Sequence, residues 1–221
     1  MERRKLERYA QWLAEAPLNL VAKGDRSDVW GRHIAESLAV VDALAPVDGA
    51  AWLDLGTGGG LPGVVMAVVR PDVQVTLVDA RGKKVRAVRE IVTELGLDNV
   101  TALQGRAEAL AHRSEHRERY DGVVSRAIGR LDVAAELSRG FVRQDGVVVV
   151  VRGADAVAEM ARIEGLLGSL GLEAPVCLGI ADSPRATNLV TMRAVGSAPS
   201  WVPRGDGTPQ ASPLGGVPSE G

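Results

Sequence analysis

The sequence predicts a doubly wound α/β fold with a mostly parallel sheet, and three observations carry that prediction. Short apolar segments of strand length alternate with segments of helical periodicity from about residue 50 to residue 194. One of them, GVVVVVRG at 146–153, is the nearly pure valine run of a strand covered on both faces. A glycine cluster, GTGGG at 56–60, lies between the first strand and its helix, where such sheets place their ligands.

Residues 2–16 read as a helix, because Leu6, Tyr9, Ala10 and Leu13 recur at i, i+3, i+4 and i+7 with Arg and Glu opposite. A second helix is predicted after Ser27, a good N-cap, ending near Ala45 before Pro46. These 45 residues form a helical extension ahead of the first strand, 50–55. Pro62 favours a first helical turn, and that helix continues to about Val69. Strand 73–79, helix 81–95 closed by Gly96, strand 99–105 and a short helix at 107–113 follow. Then come strand 120–125, helix 131–141, the valine strand, helix 155–170, and closing strands at 172–180 and 187–194.

Residues 1–195 thus read as one domain, long enough to bury a substantial core. Residues 196–221 hold five of the eleven prolines and six of the 26 glycines, and this composition predicts a disordered tail. No apolar run approaches the ~20 residues of a membrane span, and the charged start lacks the apolar centre of a secretory signal. The single cysteine, Cys177, excludes a disulfide framework and cysteine-based metal clusters, and it favours a cytoplasmic setting. With 26 Lys+Arg against 28 Asp+Glu there is no overall basic field, so any nucleic-acid contact rests on local clusters. Aromatic content of 3% also disfavours a surface that stacks many bases.

The glycine loop runs Asp54-Leu55-Gly56-Thr57-Gly58-Gly59-Gly60-Leu61-Pro62-Gly63, and Asp79 ends the second strand about 20 residues on. There a carboxylate can accept hydrogen bonds from two ribose hydroxyls. Two cofactors suit this layout. Gly58-x-Gly60-x-x-Gly63 matches the dinucleotide fingerprint letter by letter, which keeps NAD open. Against it, glycines begin at Gly56, and Asp54 faces the loop. An acidic strand end suits the ammonium and sulfonium of S-adenosyl-L-methionine and repels a pyrophosphate. A plain glycine turn with no ligand is the remaining reading.

With its flanks, the loop resembles that of the RsmG or GidB family of small-subunit ribosomal RNA guanine-N7 methyltransferases. The matching segments are LNL (18–20), RHIAESL (32–38), DLGTGGGLPG (54–63), RPDVQVTLVDARGKKVRAVRE (70–90), QGRAE (104–108) and YDGVVSRAI (120–128), in order. The resemblance implies a Rossmann-like class I S-adenosylmethionine-dependent methyltransferase acting on 16S ribosomal RNA in the small subunit. It places Gly56, Gly58 and Leu61 with Asp54 along the cofactor, Asp79 on the ribose, and Ala107-Glu108 beside the adenine. It puts Arg126 next to the cofactor, where the base enters, and makes Arg106 a candidate for RNA contact. This chain departs from the family at Gly59, where proline is common, and at Arg152-Gly153, where a lysine-glycine pair often stands. Its tail has Arg204 as sole cation, where family tails are basic.

Guanine N7 has a free lone pair and no proton to lose, so its methylation needs alignment and no general base. The absence of an Asn/Asp-Pro-Pro-Tyr segment agrees with such a ring-nitrogen target. Arg126 is then a positioning group for a phosphate or guanine O6, with a structural ion pair as its alternative. Lys83 and Lys84, within the group Arg81, Lys83, Lys84, Arg86 and Arg89, are candidate RNA contacts beside Arg152, as is the group Arg3, Arg4, Lys5 and Arg8; solvated faces are the plainer reading. His112 and His116 have helical ligand spacing but no third ligand, so no metal is expected. His33 is expected to orient backbone or pack, and Cys177 to fill a small apolar site. The expected protein is a monomeric enzyme. Methylation of another RNA or a small molecule, a non-catalytic ribosome-binding module, and an NAD oxidoreductase are the competing readings.

Overall fold

In a computed structural model the chain is described over residues 1–181, 183 and 186–216. Helices α1 (Glu2–Glu15) and α2 (Ala35–Leu44) precede β1 (Ala51–Leu55), α3 (Gly63–Val69), β2 (Gln74–Asp79), α4 (Gly82–Glu94) and β3 (Val100–Gln104). Then follow α5 (Ala107–Leu110), β4 (Tyr120–Arg126), α6 (Leu131–Arg139), β5 (Val142–Arg152), α7 (Ala156–Leu170), β6 (Val176–Gly179), β7 (Asn188–Arg193) and α8 (Thr208–Ala211). The strands form one seven-stranded sheet in the order β3-β2-β1-β4-β5-β7-β6. Among the described strands β7 alone runs opposite to the rest, its Val190 pairing with Val150 on β5 and with Cys177 on β6. Strand order therefore reverses between β1 and β4, whose carboxyl ends open a crevice.

Strand residues alternate between two apolar layers, because successive side chains point to opposite faces. Trp52, Leu77, Val124 and Val149 join the core under α1–α4. Leu53, Val78, Val123 and Val148 join the core under α5–α7. Both faces are covered, which is what the valine run requires.

The second helix departs from its expected form. Residues 23–28 form a 3-10 turn and 30–34 a π turn before α2 begins, and Ser27 makes no cap. Local carboxylates account for this. Asp28 accepts the Gly31 amide hydrogen at 2.9 Å, and Asp25 pairs with Arg32 at 2.9 Å and with His33 at 3.1 Å. β6 is shorter than expected, since Pro175 has no amide hydrogen for the ladder.

Residues 196–216 are not the disordered tail that their composition predicts. Ala198, Val202, Pro203, Pro209 and Pro213 are buried. The Arg117 guanidinium donates to the carbonyls of Ala111, Ala198, Pro199 and Val202 at 2.8–3.2 Å. Arg204 donates to both carboxylate oxygens of the buried Glu136 at 2.7 and 2.9 Å. Composition missed the segment because its partners lie on α6 and on the loop before β4, far away in sequence. Residues 217–221 lie outside the described residues.

Candidate active site

The glycine loop is built around Asp54. This residue stands near the carboxyl end of β1 with only 1% of its surface exposed. Its Oδ2 accepts from Thr57 Oγ1 at 2.7 Å and from the Gly63 amide, the first of α3, at 2.9 Å. Its Oδ1 is buried and has no hydrogen-bond partner among the described residues. Burial pushes its pKa up to about 6, against the Thr57 and Gly63 hydrogen bonds and the charge of Arg126. Gly63 is obligatory here, since a Cβ would lie 2.3 Å from Leu77 Cδ2 and 2.8 Å from Asp54 Oδ2. The chain's own carboxylate thus occupies the helix-end amide that would otherwise attract an anion. A dinucleotide's pyrophosphate would meet negative charge there.

The N-terminal extension backs this loop. Tyr9 Oη donates to the Gly59 carbonyl at 2.7 Å, and burial holds its pKa well above the usual value. Leu13 and Leu20 approach Gly59 so closely that a Cβ there would sit 2.9 Å and 3.1 Å from them. The Gly59 departure from the family pattern therefore fits a loop pressed against α1.

On the crevice side, Asp79 ends β2 and is buried. Its Oδ2 accepts the Gly58 amide at 3.0 Å and its Oδ1 the Arg81 amide at 2.8 Å, which fixes the carboxylate across the loop. A cavity of about 150 Å³ is lined by Gly56, Asp79, Gly105, Ala107, Glu108 and Ile128, among others. Of the predicted cofactor residues, Gly56, Asp79, Ala107 and Glu108 thus meet at one cavity, with Arg106 on its wall. Asp54, Gly58, Leu61 and Arg126 lie outside that lining. Leu61 is packed into the apolar cluster behind the loop. At Gly56, φ is +69° and a Cβ would lie 2.8 Å from Ile128 Cδ1, so Ile128 leans across the cavity there. Ala127 beside it adopts φ +57°, a left-handed conformation that alanine rarely takes.

Arg126 ends β4 and donates to Glu36 Oε2 at 2.7 Å. Glu36 is buried on α2, and its Oε1 accepts from Thr187 Oγ1 at 2.8 Å. The ion pair is therefore present, and it leaves the Arg126 side chain 22% exposed. Sequence reasoning missed Glu36, Thr187, Tyr9 and Ile128. Of these, Glu36, inside RHIAESL, and Ile128, at the end of YDGVVSRAI, lay in segments that the family resemblance had marked.

The candidate RNA-contact residues divide by their partners. Lys83 is exposed, and Lys84 Nζ lies 3.6 Å from where a Gly58 Cβ would be. Lys83 and Arg86 line a groove with Trp12 and Leu18. Arg106 is paired with Glu108 at 2.5 Å and with Asp206 at 3.6 Å. Arg152 is turned inward, its side chain 8% exposed, and it donates to the Gly129 carbonyl at 2.8 Å and to Glu159 at 3.1 Å. It braces the loop after β4 and does not face solvent, a correction to its expected use. Arg89 donates to the Ala102 carbonyl, and Arg3 and Arg8 pair with Glu7 and Glu94.

The two histidines face different partners: His112 Nε2 lies 2.8 Å from the Pro203 carbonyl oxygen and His116 Nδ1 3.0 Å from Tyr120 Oη. Among the described residues no group of three or more His, Cys, Asp or Glu is arranged to hold a metal. None of their helices is long and apolar enough to cross a membrane. Cys177 is half-buried on β6, with Sγ 3.7 Å from Asn188 Oδ1.

The sheet order, the antiparallel β7 and the crevice at the glycine loop define the Rossmann-like fold of class I methyltransferases. A SAM-dependent methyltransferase from Aquifex aeolicus shares it with a TM-score of 0.59 and 16% identity, covering 78% of this chain and 96% of that one. A predicted O-methyltransferase from Agrobacterium tumefaciens does so with a TM-score of 0.58 and 17% identity, covering 73% and 81%. Within that fold the chain belongs to the GidB family, rRNA small subunit methyltransferase G, whose pattern it matches over residues 2–175. Similar relatives are the ribosomal RNA small subunit methyltransferase G of Gloeobacter violaceus, 37% identical over 98% of this chain and 88% of the relative, and that of Deinococcus radiodurans, 36% identical over 94% and 85%.

Proposed function

We propose that the chain transfers a methyl group from S-adenosyl-L-methionine to N7 of a guanine in 16S ribosomal RNA, as a cytoplasmic monomer. Family membership supports the reaction class. The observation that carries the cofactor reading is the Asp54 carboxylate on the Gly63 amide, 2.9 Å apart. It disfavours a pyrophosphate, and its buried negative charge behind the loop suits a cationic ligand in the crevice. When bound, S-adenosyl-L-methionine supplies an electrophilic methyl group on a sulfonium centre.

The remaining work falls to the chain's residues. Asp79 is locked by two backbone amides and keeps lone pairs for a ribose diol. Ala107 and Glu108 flank the adenine end. Burial pushes Glu108 up, but the Gly207 amide and the Arg106 guanidinium outweigh it and hold its carboxyl below the usual range. Glu36 orients Arg126 at the mouth, where its exposed edge can meet a phosphate or guanine O6. Lys83 and Lys84 supply local positive charge for RNA on the α4 side.

The test supplies labelled methyl donor and small subunits lacking the modification, then maps N7-methylguanine by chemical cleavage. Label confined to a defined guanine N7 in 16S RNA is expected. Label on protein, on small metabolites or on another RNA position overturns the proposal.

A further inference from the structure

The C-terminal segment reaches the adenine end of the cavity, and its residue there has an unused chemical capacity. Arg204 on Glu136, the Gly207 amide on Glu108 Oε1 at 3.0 Å and the Gly215 amide on Asp132 at 2.8 Å hold α8 against α6. This placement brings Gln210 into the lining of the 150 Å³ cavity, beside Gly105, Arg106, Ala107 and Glu108. Arg106 and Glu108 are already bound to each other and to the segment itself. The Gln210 carboxamide, by contrast, makes no hydrogen bond among the described residues.

A carboxamide offers one acceptor and one donor side by side, which matches the exocyclic amine of adenine and an adjacent ring nitrogen. We propose that Gln210 is a specificity-determining residue of the cofactor site, reading the N6 edge of the adenine ring. The inference rests on the cofactor reading above and adds the C-terminal segment to that site.

Calorimetric titration with S-adenosylhomocysteine and with its 6-oxo (inosine) counterpart tests it on the full chain. The wild type is expected to bind the adenine compound more tightly than the 6-oxo one. Gln210→Ala should bind S-adenosylhomocysteine about 3- to 10-fold more weakly, the scale of a neutral hydrogen bond, and lose the preference. Its melting temperature without ligand should match the wild type, since Gln210 is exposed and its side chain bonds to no other described residue. Unchanged affinity and preference in Gln210→Ala overturn the inference while leaving the cofactor site intact. Failure of the wild type to bind either compound overturns the cofactor reading itself, and the inference with it.

Discussion

Asp54 and Gly63 form the hinge point of this site: a strand carboxylate accepts, at 2.9 Å, the first amide hydrogen of the helix that follows the glycine loop. The bond joins β1 to α3 and places a negative charge where dinucleotide-binding folds leave room for phosphate. The charge is also poorly solvated. Asp54 is held near pKa 6 chiefly by burial, so the folded state keeps a proton that the unfolded chain releases from about pH 3.8 upward.

Stability from this residue is therefore complete below its ordinary pKa and is lost as pH rises through 6. Above that, the ionised carboxylate costs about 3 kcal/mol at most. Asp54→Asn keeps a carbonyl acceptor for Gly63 and removes the charge. Its melting temperature should equal or exceed the wild-type value at pH 7.5, with the advantage gone near pH 5. Thermal scans across pH 5–8 check this, and a variant less stable at every pH would contradict it.

The legible part of the fold was that in which neighbours in sequence become neighbours in space. Leu6, Tyr9, Ala10 and Leu13 are the buried face of α1 because helical spacing alone places them together. Asp79 was found because its distance from the glycine loop is set by one strand–helix–strand unit. Arg126–Glu36 spans 90 residues and Gly207–Glu108 spans 99, and no local pattern encodes such meetings. The tail was misread for the same reason: its Pro199 carbonyl and Arg204 guanidinium are held by Arg117 and Glu136, which composition does not connect to it.

Asp79→Ala removes a carboxylate whose two oxygens are both fixed by backbone amides at 2.8–3.0 Å. Loss of charged hydrogen bonds to a ribose should weaken S-adenosylhomocysteine binding by about 1–3 kcal/mol. Equilibrium binding measures it, and unchanged affinity would remove Asp79 from the site.

Two glycines of the loop should fail differently on substitution by alanine. Gly63→Ala drives a methyl group to 2.3 Å from Leu77 Cδ2 inside the core, and overpacking of this kind costs about 1–3 kcal/mol or more of folding stability. At Gly56 the added group meets the movable side chain of Ile128, and the left-handed backbone costs about 1–2 kcal/mol. Gly56→Ala should also narrow the cavity and weaken cofactor binding beyond its effect on stability. Denaturant unfolding and ligand titration on the same samples separate the two, and equal ligand affinity for Gly56→Ala and wild type would place the cofactor elsewhere.

Arg204→Ala leaves the Glu136 carboxylate, itself 1% exposed, without its guanidinium. Breaking a buried pair costs about 3–5 kcal/mol, and the partial exposure of Arg204 lowers that to about 2–3 kcal/mol. Proteolysis near residue 204 should accelerate in the variant. Wild-type melting and cleavage together would show that the segment is not anchored there.

Glu36 is expected to act on the reaction through Arg126. It accepts Arg126 with Oε2 at 2.7 Å and is itself steadied by Thr187 through Oε1 at 2.8 Å, so its charge aims the guanidinium at the mouth of the crevice. Glu36→Gln retains the shape and weakens the aim. Affinity for S-adenosylhomocysteine should stay within about twofold, while kcat/KM for unmodified subunits falls about tenfold, the cost of roughly 1.4 kcal/mol of misplaced transition-state contact. Arg126→Lys should not restore the rate, because an ammonium lacks the fork that spans Glu36 and a phosphate together. If Glu36→Gln instead lost cofactor affinity and stability in proportion, with turnover per bound cofactor unchanged, the pair would be a structural tie between α2 and β4.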